Sequence, residues 1–357
     1  MTKNLIDTKD KKQKAVLAMA VIDKDDNPAE DLYELKALVE AAGAEYVGEM
    51  YQNRTQVDPK YLLGKGKVEE LKRMVEELDA DLVVFDNQLS GSRLNNLEEY
   101  LGVRVLDRAM LILDIFAQRA LSQEGKTQVE LAQLKYTLPR LSGISGTSGR
   151  FGGGIGMRGP GETALELSKR IVEKKIVEKE RALQKLKQER DLRQSNRNKS
   201  NKKVVALVGY TNSGKSTLLN TITKANVLAK DMLFATLDTT TRSLWLGEGK
   251  EILLTDTVGF VNKLPHELVE AFSSTLEEAV MADIIVHVVD ASNDKREVQQ
   301  KVVLKVLKEL GIKDTPIITV FNKCDKAVGT FVDGDLLISA KNNINIDKLK
   351  NKIIELL

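Results

Sequence analysis

The sequence lacks several features that would otherwise place it in a particular class of protein. Its 357 residues include one cysteine, Cys324, which excludes an intramolecular disulfide and fits a reducing compartment. No apolar run approaches the length of a membrane span, and the N-terminal segment has no apolar stretch typical of a signal peptide. Lys and Arg (54) nearly balance Asp and Glu (52), so net charge does not indicate a nucleic-acid-binding protein. We therefore expect a cytoplasmic protein.

Residues 1–107 are predicted to form a small α/β domain with a parallel sheet, because short apolar runs alternate with helical patterns. The expected strands are Ala15–Ile22, Ala44–Met50, Leu82–Phe85 and Val103–Leu106. The expected helices are Leu32–Ala42, Lys67–Leu78 and Leu94–Leu101. The segment Gly64–Lys67 before one helix either binds an anion through its N–H groups and lysines or is an ordinary turn with solvated lysines.

Residues 108–200 are predicted to form a long antiparallel helical hairpin. Helix-forming residues replace the strand pattern, and apolar residues recur at near-heptad spacing. One stripe comprises Leu165, Val172, Ile176, Leu183 and Leu186, and the facing stripe comprises Leu111, Ile115, Val129 and Leu134.

A glycine-rich segment, residues 142–162, connects the two predicted arms and carries Arg150 and Arg158. One interpretation is a flexible linker. The other is a loop whose glycines let the backbone approach an RNA chain while the guanidinium groups pair with phosphate. We favour RNA contact. The basic segment Leu192–Lys203 is expected to be the hinge into the next domain.

Residues 201–357 are predicted to form a doubly wound α/β domain of the Ras-like P-loop type. In GYTNSGKS, Gly209 and Gly214 let a loop fold its N–H groups around phosphate. Lys215 reaches the β and γ oxygens, Ser216 can hold Mg²⁺, and the following helix directs its N-terminal dipole at the anion. The predicted contact residues of this loop are Gly209, Tyr210, Thr211, Asn212, Ser213, Gly214, Lys215, Ser216 and Thr217.

A second motif, NKCD, predicts that the bound base is guanine. The Asp325 carboxylate can accept from guanine's ring N–H and exocyclic amine, which adenine does not offer in that arrangement. The segments FATLD, DTVG and SAK lie around it in the order found in GTPases. The further residues predicted to contact nucleotide are Phe234, Ala235, Thr236, Leu237, Asp238, Asp256, Thr257, Val258, Gly259, Asn322, Lys323, Asp325, Ser339, Ala340 and Lys341.

Metal and phosphate chemistry assigns roles within these motifs. Mg²⁺ needs hard oxygen ligands, so Ser216 and Thr236 are expected to bind it, with Asp256 behind them. The Gly259 N–H is expected to meet the γ-phosphate. Lys215, Thr236 and Gly259 are therefore the residues predicted to act in GTP hydrolysis.

Phe260 follows Gly259 at a position where many GTPases have a glutamine that orients the attacking water. A phenylalanine side chain cannot hydrogen-bond to water, so intrinsic hydrolysis is expected to be slow or to depend on outside help. Asn212 either helps to bind K⁺ near the transferred phosphate or makes a structural hydrogen bond. His287, inside an apolar strand, is expected to be a core histidine.

With these residues assembled, nearly the whole chain resembles the HflX family of ribosome-associated GTPases. The resemblance rests on GYTNSGKST, FATLD followed by TTR, DTVGF with LPHELVEAF, GGGIGMRGPGE, and the N-terminal segments YLLGKGKVEEL and FDNQLS. It implies binding to the large ribosomal subunit and its RNA, with the hairpin directed toward the peptidyl transferase region, and GTP-dependent splitting or rescue of ribosomes under stress.

The sequence departs from the family at two points. Thr239 stands where proline is common, which is expected to loosen the loop around it. The extra C-terminal domain of some members is not expected after Leu357.

Two other functions stay open. One is a nucleotide-gated RNA- or protein-binding module with incidental hydrolysis, and the other is additional ATP binding near Gly64–Lys67. A monomer is expected.

The Asp325→Asn variant is predicted to bind GTP more weakly and to gain preference for xanthosine triphosphate. An amide presents a donor where the carboxylate accepted, and the mismatch costs about 1–3 kcal/mol. Binding titrations with both nucleotides measure the change. Unchanged GTP affinity without any gain for the xanthine nucleotide would contradict the assignment of Asp325 to the base site.

Overall fold

The computed structural model describes residues 12–23, 27–144, 164–198, 202–224, 233–234, 237, 239–247, 250–263, 278–312, 314–327, 329–332 and 334–357. These residues belong to two compact units. Unit 1 contains the described residues up to Gln118 and those from Gln133 to Ile176. Unit 2 contains Arg119–Ala132 and the described residues from Val177 onward. Within these ranges no helix is long and apolar enough to cross a membrane.

Unit 1 contains a four-stranded parallel sheet in the order β2-β1-β3-β4. Its strands are β1 (Lys14–Val21), β2 (Glu45–Asn53), β3 (Leu82–Phe85) and β4 (Arg104–Asp107). Its helices are α1 (Pro28–Ala41), α2 (Lys65–Glu77), α3 (Gly91–Leu101) and α4 (Arg108–Arg119). β1 is buried on both faces, as a central strand of a covered parallel sheet should be. The predicted α/β fold of this region is confirmed.

Helices α1, α2 and α3 of unit 1 begin two to four residues earlier than the apolar pattern predicts. α1 begins at Pro28, whose fixed φ suits a first helical position. α3 begins at Gly91 because the Ser90 hydroxyl accepts from the Arg93 N–H at 3.4 Å. Polar first turns carry no apolar periodicity, so the pattern reveals only the turns behind them.

The Asp107 carboxylate, fully buried at the end of β4, joins several segments of unit 1. It accepts from the Leu89 N–H at 3.1 Å, the Met110 N–H at 2.9 Å and the Tyr136 hydroxyl at 2.6 Å. Arg140 Nη2 lies 3.5 Å away, and its guanidinium stacks 3.4 Å from the centre of the Tyr136 ring. Burial and the Asp107 charge raise the pKa of Tyr136 above its ordinary value, so the hydroxyl stays a donor.

The helical hairpin is formed by α5 (Gln123–Thr137) and α6 (Ala164–Asn198), with a 3-10 helix at Leu138–Ile144 after α5. The Lys179 ammonium of α6 pairs with the Glu130 carboxylate of α5. On α6 the predicted stripe is partly buried among exposed neighbours at the four positions whose side chains the structure describes, which are Val172, Ile176, Leu183 and Leu186.

The predicted facing stripe is not carried by one continuous helix. Leu111 and Ile115 lie on α4, whereas Val129 and Leu134 lie on α5. The helical structure is interrupted between α4 and α5. A new helix begins there because the Ser122 hydroxyl accepts from the Gly125 N–H at 2.9 Å and caps α5. Arg150 and Arg158 lie outside the described residues.

Unit 2 contains a six-stranded sheet in the order β10-β9-β8-β5-β7-β6. Its strands are β5 (Lys203–Gly209), β6 (Thr240–Gly247), β7 (Lys250–Asp256), β8 (Ile284–Asp290), β9 (Ile317–Asn322) and β10 (Leu336–Leu337). Its helices are α7 (Lys215–Thr223), α8 (Arg296–Glu309) and α9 (Ile346–Leu356). β6 runs antiparallel to β7, and the other paired strands are parallel. The carboxyl ends of the parallel strands therefore share one edge, where α/β proteins bind ligands.

The Tyr136→Phe variant is expected to destabilise unit 1 by about 1–3 kcal/mol, because a buried carboxylate loses a hydroxyl donor. Chemical denaturation followed by a probe in unit 1 measures this change. Tyr33→Phe is the matched control, because the Tyr33 side chain is 76% exposed. Equal stability of the two variants would contradict a stabilising role for the Tyr136–Asp107 bond.

Candidate nucleotide site

The loop between β5 and α7 needs glycine at both ends. A Cβ at Gly209 would lie 2.3 Å from the Val288 carbonyl oxygen. Gly214 has φ +93°, and a Cβ there would lie 2.2 Å from Asn322 Nδ2. Neither approach leaves room for a methyl group. Between them, Asn212 adopts φ +62° and is exposed.

The Lys215 side chain is folded onto this loop. Its Nζ donates to the carbonyl oxygens of Gly209 at 3.0 Å and Tyr210 at 2.9 Å. The side chain is 6% exposed. Burial lowers the pKa of Lys215 to about 8, while the Asp256 carboxylate acts in the opposite direction. The loop thus holds a cation that is poorly solvated, which favours an incoming anion.

The DTVG segment lies directly against the phosphate loop. Asp256 is fully buried at the end of β7, and the Thr257 hydroxyl donates to the Leu207 carbonyl at 2.8 Å. A Cβ at Gly259 would lie 2.7 Å from Thr211 Cα and 3.1 Å from Lys215 Nζ. A side chain at position 259 would therefore collide with the phosphate loop.

The backbone of Phe260 is hydrogen-bonded to the phosphate loop, and its side chain is buried. Its N–H donates to the Gly209 carbonyl at 3.1 Å, and its carbonyl accepts from the Thr211 N–H at 2.7 Å. The ring, 4% exposed, packs in an apolar cluster with Tyr210, Ile285 and neighbouring alanines. The side chain is therefore directed into the core. The two hydrogen bonds between Phe260 and the phosphate loop could not be predicted from the sequence, because backbone groups form them and no residue type indicates them.

Asn322 connects the guanine motif to two other loops. Its Nδ2 donates to the Ser213 carbonyl at 2.9 Å, and its Oδ1 accepts from the Ala340 N–H at 2.9 Å. Asp325 is exposed, and its carboxylate accepts from the Ser339 hydroxyl at 2.6 Å. This hydrogen bond holds the pKa of the Asp325 carboxyl below its ordinary value, so it stays an acceptor.

Lys323 follows with φ +63°, and its Nζ donates to Asp290 Oδ2 at 2.6 Å. This pairing joins the ends of the neighbouring strands β8 and β9. The aliphatic part of the lysine is thereby held along the same edge of the sheet. The motif predicted Lys323 as a contact residue, but Asp290 carried no signal in the sequence.

The segment FATLD is described in part. Phe234 is 1% exposed at φ +53°, and its N–H donates to the Thr211 hydroxyl at 2.8 Å. Leu237 is also buried. Ala235, Thr236 and Asp238 lie outside the described residues.

The remaining predicted residues of the phosphate loop follow its path into α7. Tyr210, Thr211 and Ser213 are buried, and Ser216 and Thr217 are partly exposed in the first turn of the helix. Val258 is buried, and Lys341 is exposed next to Ala340. His287 is buried in β8 as expected, and burial lowers its pKa to about 4, with a smaller contribution from Lys215.

Comparisons with known proteins find matches to three consecutive segments of the chain. Family models match residues 29–117 (GTP-binding GTPase N-terminal), 119–197 (GTP-binding GTPase Middle Region) and 204–323 (50S ribosome-binding GTPase). GTPase HflX of Caldanaerobacter subterraneus is 50% identical over 96% of this chain and 80% of its own length. GTPase HflX of Escherichia coli is 43% identical over 90% of this chain and 75% of its own.

Among solved structures, a GTP-binding protein from Sulfolobus solfataricus in complex with GDP is similar. It is 25% identical, with a TM-score of 0.50 over 96% of this chain and 98% of its own.

Fold and site together define a P-loop GTPase, an enzyme that binds and hydrolyses GTP. The three family models follow one another along the chain, and relatives of 43% and 50% identity cover most of it. The chain belongs to the HflX family of GTPases.

Binding of GTP at pH 8.5 is expected to take up a proton. The pKa of Lys215 is lowered to about 8, so part of the population is neutral at that pH, and phosphate oxygens raise the pKa again. Calorimetry in two buffers of different ionisation enthalpy measures the uptake. At pH 7 the uptake from Lys215 should become small, and its absence at pH 8.5 would contradict the lowered pKa.

Proposed function

We propose that this GTPase acts on the large ribosomal subunit and splits or rescues ribosomes under stress. The observation that carries the proposal is the match of residues 204–323 to a 50S ribosome-binding GTPase model. It is joined by the N-terminal and middle-region models on the same chain. We propose the boundaries 1–107, 108–200 and 201–357 for the corresponding domains, the second presenting residues 142–162 to ribosomal RNA.

The nucleotide site is proposed to read phosphate and base separately. Lys215 and the loop N–H groups bind the β- and γ-phosphates, and the Gly259 N–H meets the γ-phosphate. Asp325 reads guanine, supported by its exposure and by its hydrogen bond to the Ser339 hydroxyl. The Ala340–Lys341 segment closes the base side, because the Ala340 N–H is fixed to the Asn322 side chain at 2.9 Å.

Ser216 and Thr236 are proposed to hold Mg²⁺, with Asp256 behind them. The fit is supported by chemistry and position. Ser216 follows Lys215 in the first turn of α7, and Asp256 ends β7, the strand beside β5, so oxygen donors meet at one edge. Mg²⁺ supplies charge neutralisation at the β- and γ-phosphates when bound. Asn212, exposed at the rim of the loop, is proposed to help bind K⁺.

Intrinsic hydrolysis is proposed to be slow, and ribosomes are proposed to accelerate it. The support is the burial of Phe260, which removes its side chain from contact with water. The group that orients the attacking water then has to come from elsewhere. The same burial favours a second candidate function, a nucleotide-gated binding module in which hydrolysis is incidental.

Turnover of GTP with and without purified large subunits separates the two functions. Strong stimulation supports the ribosome-activated GTPase. Tight GTP-dependent binding with no added turnover supports the gated module. Pelleting with GTP, GDP and a non-hydrolysable analogue shows which nucleotide state binds.

The Arg150→Ala/Arg158→Ala double variant is expected to lose ribosome binding and ribosome-stimulated turnover together. Its intrinsic GTP hydrolysis should stay nearly unchanged, because the arginines lie outside the nucleotide motifs. The log-log salt dependence of binding should become shallower by roughly one to two units if both contact phosphate. Full ribosome-stimulated activity in this variant would contradict RNA contact by the glycine-rich segment and favour the linker interpretation.

A further inference from the structure

Thr211, in the middle of the phosphate loop, hydrogen-bonds to two separate segments. Its hydroxyl accepts from the Phe234 N–H at 2.8 Å, and its own N–H donates to the Phe260 carbonyl at 2.7 Å. The residue is 6% exposed. Phe234 and Phe260 are 26 positions apart and belong to different nucleotide motifs. Thr211 therefore links them through one residue.

The packing at Gly259 adds a third contact to the same residue. A Cβ built on Gly259 would lie 2.7 Å from Thr211 Cα and 3.0 Å from Thr211 Cβ. The backbone of DTVG thus rests on the body of the Thr211 residue as well as on its hydrogen-bonding groups. A residue in this place cannot move without affecting the segment that contains Gly259.

Phe234 adopts a backbone conformation that needs outside support. Its φ of +53° lies in the left-handed region, which a bulky residue rarely adopts. Burial of the ring and the hydrogen bond from the Phe234 N–H to the Thr211 hydroxyl both stabilise this conformation. Removal of the hydroxyl acceptor would leave a buried N–H without that bond, at a site already under backbone strain.

We propose that Thr211 is a positioning residue that couples the segment at Phe234 to the segment at Gly259 and Phe260. The side chain holds the first segment, and the main chain holds the second. Thr236, two residues after Phe234, is the Mg²⁺ ligand of the proposed function, and this inference rests on that assignment. The coupling gives GTP an advantage over GDP, because only the γ-phosphate engages both segments.

The Thr211→Val variant isolates the side-chain half of the coupling. Valine keeps the shape and the main-chain N–H but removes the hydroxyl, whereas Thr211→Ser keeps the hydroxyl. One hydrogen bond corresponds to roughly a two- to tenfold change in an equilibrium. We expect Thr211→Val to bind a non-hydrolysable GTP analogue two- to tenfold more weakly, to need more Mg²⁺, and to lose less affinity for GDP than for the analogue.

Three results would overturn the proposal. They are equal losses of GDP and analogue affinity, no loss of either, or a Thr211→Ser variant that behaves like Thr211→Val. Thr223→Val is the matched control, because the Thr223 hydroxyl donates to the Leu219 carbonyl at 2.7 Å within α7, away from both segments. It should leave both affinities unchanged.

Hydrogen exchange at the Phe234 amide, measured without nucleotide, tests the contact independently of magnesium. Thr211→Val should accelerate exchange several-fold relative to the parent and to Thr211→Ser. Equal exchange in the parent and in Thr211→Val overturns the coupling itself. Faster exchange together with weaker analogue binding at an unchanged Mg²⁺ midpoint supports the coupling and places the failure in the proposed role of Thr236.

Discussion

The buried side-chain amide of Asn322 is the interaction on which the geometry of the nucleotide site depends. It bonds to the Ser213 carbonyl on one side and to the Ala340 N–H on the other, so the loops after β5, β9 and β10 share one anchor. Gly214 has to be glycine because Asn322 Nδ2 stands 2.2 Å from where its Cβ would be. These hydrogen bonds fix the distance between the phosphate loop and the loops proposed to contact the base.

Burial of charged and titratable side chains determines the electrostatics of the site. Lys215 and Asp256 are buried at the edge where β5 and β7 end, and His287 is buried within the neighbouring strand β8. A buried cation is costly unless it is paired, and the pKa of Lys215 is accordingly lowered to about 8. His287 has a pKa lowered to about 4 and stays neutral at physiological pH, so it adds no second positive charge. Lys215 Nζ donates only to neutral carbonyl oxygens in the hydrogen bonds described above, so an anionic polyphosphate would be a more favourable partner in this desolvated site.

Strands and nucleotide motifs could be predicted from the sequence because both depend on local residue order. Apolar runs located the four strands of the sheet in unit 1, and the glycines of the phosphate loop have steric reasons that the structure supplies. The contacts of the Asp107 carboxylate and the hydrogen bonds between Phe260 and the phosphate loop could not be predicted in this way. They depend on backbone groups or on partners far away in the chain, such as Tyr136, 29 positions after Asp107. Hydrophobic periodicity carries no information about such pairs.

The contacts of Phe260 bear on the proposed stimulation of hydrolysis by a partner. Its two backbone hydrogen bonds to the phosphate loop fix where the segment after Gly259 begins, and its ring is held in the core. Gly259 lies against Thr211 and Lys215 of the phosphate loop. What this arrangement leaves out is a side chain at position 260 that can hold water. A partner that supplied or ordered such a group would change the rate without rebuilding the site, so control of hydrolysis would lie with the partner.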